Sequence, residues 1–302
     1  MNASEKKSEE TRGFPRLCAH RGVNFEAPEN TLPAFERALE GGADELELDL
    51  WPSKDGKLIV CHDPGVDRTS DGHGLICNLT AKEIRCLDAG AWFSPSFRGT
   101  RFPLFEEVLD LAAGKTVLNI HIKSPLTNAP ISAGMERRNA EWADCYDNHR
   151  LVMPPLPDGT EEVLPEVENR AWTPYPEKDL QKILDALDAY HNRPYAYLTG
   201  EKDVLTTARE MAPDMPRCCL EGDMNYSIVE HAVAFGCQKA QFCKGFISGG
   251  MIRRAKANGL ICNLFWADDP AEAKAYLDLG IDCILTNNLN TVRDGLRAAG
   301  AY

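Results

Sequence analysis

TVLNIHIKSP, residues 116–125, reads as a β-strand: branched and aliphatic residues, with AAGK before them and Ser-Pro after. Side chains alternate along a strand, so Leu118, Ile120 and Ile122 share one face and Asn119, His121 and Lys123 the other. Burying that second face costs free energy unless its polar groups find partners. DELELDL, residues 44–50, repeats the pattern, with Leu46, Leu48 and Leu50 opposite Glu45, Glu47 and Asp49. A strand of a parallel barrel is covered by helices on one side and faces the barrel interior on the other. The leucines then pack on helices and the three carboxylates point inward. There they repel and raise one another's pKa unless a cation neutralises them. A metal site is favoured over a solvated strand face on that ground.

The rest of the chain alternates in the same way. Strand candidates fall at 16–22, 44–50, 116–123, 194–200, 217–222, 239–243, 260–266 and 282–288, with amphipathic helical stretches between them such as TLPAFERALEGG and EKDLQKILDALDAYHN. Glycines follow several of these helices, where a C-terminal stop is expected. The alternation fits an open doubly wound sheet as well. Eight strands each followed by one helix favour an α/β fold of the (β/α)8 barrel type.

Two stretches break the rhythm. A strand-like edge, KLIVCHD (57–63), leads into residues 64–103, where Asp-Gly turns and the helical LTAKEIRCLDAG predict a small insertion after the second strand. Residues 125–176 have no period and predict a long loop insertion after the third strand, a lid or an interface arm. The aromatic residues within it, Trp142, Tyr146, Trp172 and Tyr175, fit packing on the barrel rim as well as headgroup recognition. The expected layout is a polar tail at 1–15 and one barrel domain over 16–302.

Composition excludes several classes. The 302 residues are 43% hydrophobic, enough for one large core, and the net charge of −13 leaves no broad basic surface for nucleic acid or an anionic bilayer. No apolar run approaches the ~20 residues of a membrane span, and the polar start MNASEKKSEETRGFPR lacks the apolar centre of an export signal. Eleven cysteines without a CxxC pair read as small buried hydrophobes in a reducing compartment. A cytoplasmic location is the expectation, with the oligomeric state left open.

Active sites of such barrels gather at the C-terminal ends of the strands. The first strand ends in Ala19-His20-Arg21-Gly22, and the edge at 57–63 ends in Cys61-His62-Asp63. Histidine gives and takes protons near neutral pH, and two of them divide acid and base roles.

AHRGVNFEAPENT (19–31), ELDL, CHD (61–63), DPGVDRTSDGHG, NLTAKEIRCLDAGAWF, RFPLFEEVL and NIHIK stand in an order and spacing that resemble the glycerophosphodiester phosphodiesterase family, a TIM-barrel family. The likeness weakens after residue 125 and returns at Trp266 and LGIDCILTN (279–287). The resemblance implies metal-dependent hydrolysis of a glycerophosphodiester, a small-molecule substrate, to glycerol 3-phosphate and an alcohol. By position it implies His20 and His62 as the acid/base pair, Arg21 and Lys123 on the phosphate, Glu47 and Asp49 on the metal, and Glu29, Asn30 and Trp266 around the substrate. It implies magnesium or calcium as the single divalent ion. The family's third metal ligand is usually a glutamate where this chain has His121, a softer donor that suits manganese, zinc, cobalt or iron better. Asn287 stands where the family more often has aspartate.

Other readings remain at this level. The diester is a different one, such as a lysophospholipid, or the barrel binds a phosphate ester without turning it over. A metal-dependent amidohydrolase needs a His-x-His pair closing the first strand, which LCAHRG lacks.

Overall fold

The structure is a computed structural model that describes residues 13–124, 172–220, 227–244 and 246–302. Among these residues nine strands form one sheet: β1 Arg16–Ala19, β2 Glu45–Pro52, β3 Leu58–Val60, β4 Val117–Ile122, β5 Ala196–Gly200, β6 Arg217–Cys219, β7 Lys239–Cys243, β8 Ile261–Phe265 and β9 Cys283–Thr286. Their order is β1-β9-β8-β7-β6-β5-β4-β2-β3, and β1 also pairs with β2. Every pairing except β2–β3 is parallel. Eight strands therefore close into a (β/α)8 barrel, and β3 is an antiparallel addition beyond its wall. His62 thus comes from a hairpin strand folded back on β2 rather than from the end of a barrel strand.

Around the barrel lie α1 Leu32–Glu40, α2 Ala81–Ile84, α3 Phe105–Ala112, α4 Glu177–Ala189, α5 Lys202–Met211, α6 Ile228–Ala234, α7 Gly249–Ala257, α8 Pro270–Asp278 and α9 Leu289–Ala298. Local chemistry sets several of their starts. Asp269 caps α8 by accepting from the backbone of Ala271 and Glu272, with Pro270 in the first turn, and Ser248 caps α7 through Met251. The helix expected over LTAKEIRCLDAG is only one turn long. The Asp88 carboxylate accepts instead from the backbone of Gly90, Ala91 and Gly99 and bends the chain into turns. The insertion packs Val66, Ile76, Ile84 and Phe102 against Trp51 of β2 and Ile59 of β3 in a separate apolar cluster.

Leu46, Leu48, Leu50, Leu118, Ile120 and Ile122 all pack in the main core between barrel and helices. The opposite faces of β2 and β4 turn inward, and the parallel register sets Glu47 beside Asn119 and Asp49 beside His121. Three inward carboxylates do not share one cation. Glu45, fully buried at the barrel floor, is 2.9 Å from Arg16 Nη1 and 3.9 Å from Lys239 Nζ, and it accepts from the Tyr197 hydroxyl at 2.6 Å. Asn119 is spent inside the wall as well. Its amide donates to Gln241 Oε1 at 2.8 Å and its oxygen accepts from Thr199.

Residues 125–171 of the long insertion, including Trp142 and Tyr146, lie outside the described residues. Trp172 is exposed, whereas Tyr175 is buried with its backbone bonded to Asp203 and Thr207 of α5. The ten described cysteines are free thiols, eight of them buried. Among the described residues no helix is long and apolar enough to cross a membrane.

Candidate active site

Glu47, Asp49 and His121 offer one ligand atom each within 4.8 Å of one another, all three residues buried. His121 Nδ1 is 3.1 Å from Asp49 Oδ1 and 4.0 Å from Glu47 Oε1. The lysine two residues on, at the same face of β4, brings its Nζ within 3.0 Å of that same Asp49 oxygen. Among the described residues Asp49 Oδ1 and His121 Nε2 are both buried without a hydrogen-bond partner.

The turn after β1 supplies the next groups. Arg21 holds a left-handed φ of 56° and Gly22 one of 83°. A Cβ on Gly22 would sit 2.6 Å from that of Ala34, so the chain passes too close to α1 for any larger residue. The same bend aims the Arg21 backbone N–H at Glu47 Oε2, 2.9 Å away, and sets Arg21 Nε 3.6 Å from Asp49 Oδ2. Asn30, another left-handed residue with φ 53°, grips Asp49 from behind. Its amide donates to Asp49 Oδ2 at 2.8 Å, and its oxygen takes the Asp49 backbone N–H at 3.3 Å. Asn30 therefore bonds a carboxylate of the cluster, where the family likeness implied a place around the substrate. Glu29 accepts from Arg21 Nη1 at 2.9 Å.

His20 lies at the end of β1 with Nε2 4.0 Å from Glu47 Oε2 and Nδ1 2.8 Å from Asn287 Oδ1. The ring of Trp266, half-exposed at the end of β8, runs parallel to it with centroids 6.1 Å apart. His62 reaches the site from beyond β3. Its Nδ1 is 2.7 Å from Asp63 Oδ1, and its carbonyl accepts from Trp51 Nε1. Arg68, inside the insertion, clamps both sides of the mouth with two bonds to Asp63 and two to Glu29. A chain of ion pairs runs Arg21–Glu29–Arg68–Asp63, and a hydrogen bond carries it on to His62 Nδ1.

Charge is uneven across this group. Burial, and the Asp49 carboxylate beside it, push the Glu47 carboxyl well above its ordinary value. Burial would raise Asp49 too, but Lys123, His62, His121 and Arg21 together hold it well below the usual range. Burial and Arg21 lower His20 to about 3, and burial and Lys123 lower His121 to about 4. Burial lowers His62 as well, opposed by Asp49 and Asp63. Glu47 is the one carboxylate of the set left under-neutralised. A divalent cation among Glu47, Asp49 and His121 would correct that and would occupy the unmatched Asp49 Oδ1, so the residues fit such an ion.

Residues 20–154 match the model of the glycerophosphoryl diester phosphodiesterase family. That match covers less than half of the 302 residues. The glycerophosphodiester phosphodiesterase of Caldanaerobacter subterraneus subsp. tengcongensis is 49% identical over 115 residues, 38% of this chain and 47% of that protein. The Bacillus altitudinis glycerophosphodiester phosphodiesterase is 38% identical over 140 residues, 46% of this chain and 56% of its own length. The chain thus spans about half the length of the curated relatives it matches. Solved structures extend the likeness of fold to nearly the whole chain. An Oleispira antarctica phosphodiesterase, in complex with its product sn-glycerol-3-phosphate, aligns with a TM-score of 0.72 at 20% identity, covering 94% of this chain and 97% of that one. The Agrobacterium tumefaciens glycerophosphodiester phosphodiesterase aligns at 0.66 and 21% identity, over 92% and 99% of the two chains.

All ten residues that the sequence offers for a site lie at or behind this end of the barrel. Asp63 and Arg68, which join His62 and Glu29 at the mouth, are not among the residues that the sequence offers. The RTSDGHG stretch carries Arg68, but its partners are 5 and 39 residues away, a pairing that local patterns do not reveal.

Proposed function

We propose that the protein is a metal-dependent phosphodiesterase that hydrolyses a glycerophosphodiester to glycerol 3-phosphate and an alcohol. One observation carries this reading. Two histidines, each held at Nδ1 by a partner of its own, flank a buried Glu47–Asp49–His121 cluster that also holds Arg21 and Lys123. A phosphodiester is anionic and repels nucleophiles, so its hydrolysis requires positive charge at the non-bridging oxygens. A divalent ion bound by Glu47, Asp49 and His121 supplies such charge. Arg21 and Lys123 add two fixed cations beside it and orient the phosphoryl group.

The two histidines divide the proton work by their partners. His62 leans on an anionic carboxylate and is the better solvated, with a third of its side chain exposed against a tenth for His20. Burial lowers both rings, but these two features leave His62 the more readily protonated of the pair. His62 gives its proton to the departing alkoxide. His20 leans on a neutral amide, stays uncharged, and takes the proton of the attacking hydroxyl as its oxygen bonds to phosphorus and the P–O bond to the alcohol breaks. Trp266 beside His20 offers an apolar wall for the carbon skeleton of the substrate.

A panel of glycerophosphodiesters and lysophospholipids, assayed with manganese, zinc, magnesium and calcium, tests the reading. Turnover of at least one diester that chelation abolishes and added metal restores is the expected result. Silence across the panel would support a barrel that binds phosphate esters without catalysis.

A further inference from the structure

The hydrogen bonds behind His20 form a chain whose direction is set at both ends. At one end Asn24 Nδ2 lies 3.0 Å from the backbone carbonyl of His20 and 2.6 Å from Asn287 Oδ1. At the other, the Asp268 carboxylate receives Asn287 Nδ2 at 2.8 Å, the Asn287 backbone N–H at 2.7 Å and the Thr286 hydroxyl at 3.1 Å. A backbone carbonyl and a carboxylate can only accept. The carbonyl of His20 therefore obliges Asn24 to turn its NH₂ group inward, and that group can only donate to Asn287. Asp268 obliges Asn287 to give up its own NH₂ group on the far side. Both constraints leave the same atom, Asn287 Oδ1, facing His20 Nδ1, and an amide oxygen has no proton to give. Turning the Asn287 amide over would set its NH₂ against that of Asn24 and its oxygen against the Asp268 carboxylate, breaking two bonds at once.

We infer that Asn287 is a positioning residue for His20, locked by Asn24 and Asp268 so that the neutral imidazole carries its proton on Nδ1 and presents the lone pair of Nε2 to the cluster. This rests on the reading of His20 as the base. A carboxylate at 287 would meet Asp268 oxygen to oxygen across the 2.8 Å now spanned by Nδ2, and like charges at that range do not both ionise. The amide satisfies the histidine and the aspartate together.

Ring ¹H–¹⁵N correlation spectra of histidine-labelled protein, recorded near pH 7, read the tautomer directly. Wild type is expected to show His20 neutral with its proton on Nδ1. Asn287→Leu, which removes the acceptor, should move that proton to Nε2 and lower kcat by at least about 10²-fold, with KM changed much less. Asp268→Ala releases one of the two locks and should give a mixture of tautomers with an intermediate rate. A wild-type proton on Nε2 would overturn the inference, and this measurement needs no variant to fold. An Asn287→Leu protein that folds and keeps both the wild-type spectrum and the wild-type rate would overturn it as well. Nδ1–H in wild type without turnover of any diester would instead refute the catalytic reading of His20 and leave the hydrogen-bond assignment standing.

Discussion

Binding of a divalent ion at Glu47, Asp49 and His121 should release one proton, and Glu47 is its source. Metal ligands bind deprotonated, so the count follows from which of the three holds a proton before the ion arrives. Asp49 does not, because Lys123, His62, His121 and Arg21 keep it ionised against the effect of burial. His121 does not, because burial and Lys123 lower it to about 4. Glu47 does, raised by burial and by Asp49. Between its ordinary value of 4.5 and its raised one, metal affinity should climb about tenfold per pH unit and then level off. The metal-free protein behaves oppositely. In that window the unfolded chain has lost the proton and the folded chain keeps it, so raising the pH favours unfolding by up to about 1.4 kcal/mol per unit. Calorimetric titration with manganese at pH 6, in two buffers of different ionisation enthalpy, counts the protons. The expected count is one for wild type and none for Glu47→Gln, with weaker binding in the variant. Wild-type binding without proton release, or the same release from Glu47→Gln, would refute the reasoning.

Three further outcomes follow from the same geometry. His62→Ala should cut diester turnover by at least about 10²-fold, and Arg68→Ala by about tenfold, because Arg68 orders Asp63 and Glu29 without reaching the reacting atoms; steady-state kinetics at saturating metal separates the two, and equal losses would place Arg68 in the chemistry itself. His121→Glu should move metal preference toward magnesium and calcium, read by competition among ions, and an unchanged order would remove His121 from the ligand set. Tyr197→Phe deletes a buried hydroxyl that donates to Glu45 at 2.6 Å and accepts from Asn263 at 3.0 Å. Losing a bond to a charged group, and leaving the Asn263 amide with only the weak acceptor Cys218 Sγ, should cost about 2–3 kcal/mol in urea denaturation, with kinetics at the barrel mouth unchanged.

The barrel and its inward faces were legible because strand alternation is a local property. Eight strands could be located one at a time, and the leucine face of β2 announced which side held Glu47 and Asp49. Periodicity does not report what an inward side chain meets across the barrel. Glu45 follows the same alternation as Glu47, yet its neighbours are Arg16 and Lys239, delivered by strands 29 residues before it and 194 after it (45 − 16 and 239 − 45). The single cation expected for three carboxylates is therefore two separate solutions: fixed side-chain cations at the floor, and a place for a divalent ion at the mouth.

The difference between those two layers follows from how completely each carboxylate is matched. Glu45 has a guanidinium, an ammonium and a hydroxyl on its two oxygens, and these hold it below its ordinary pKa despite full burial. That is a closed site with no free valence. Above it, Asn30 and Lys123 engage Asp49, and the backbone of Arg21 engages one oxygen of Glu47, but among the described residues the other Glu47 oxygen faces the neutral His121 ring, 4.0 Å away. A fixed cation there would complete the neutralisation and take the place of a divalent ion. Leaving it open costs the metal-free fold some stability at neutral pH, and it is that incompleteness, in a strand whose neighbouring carboxylate is fully matched, that separates the mouth of the barrel from its floor.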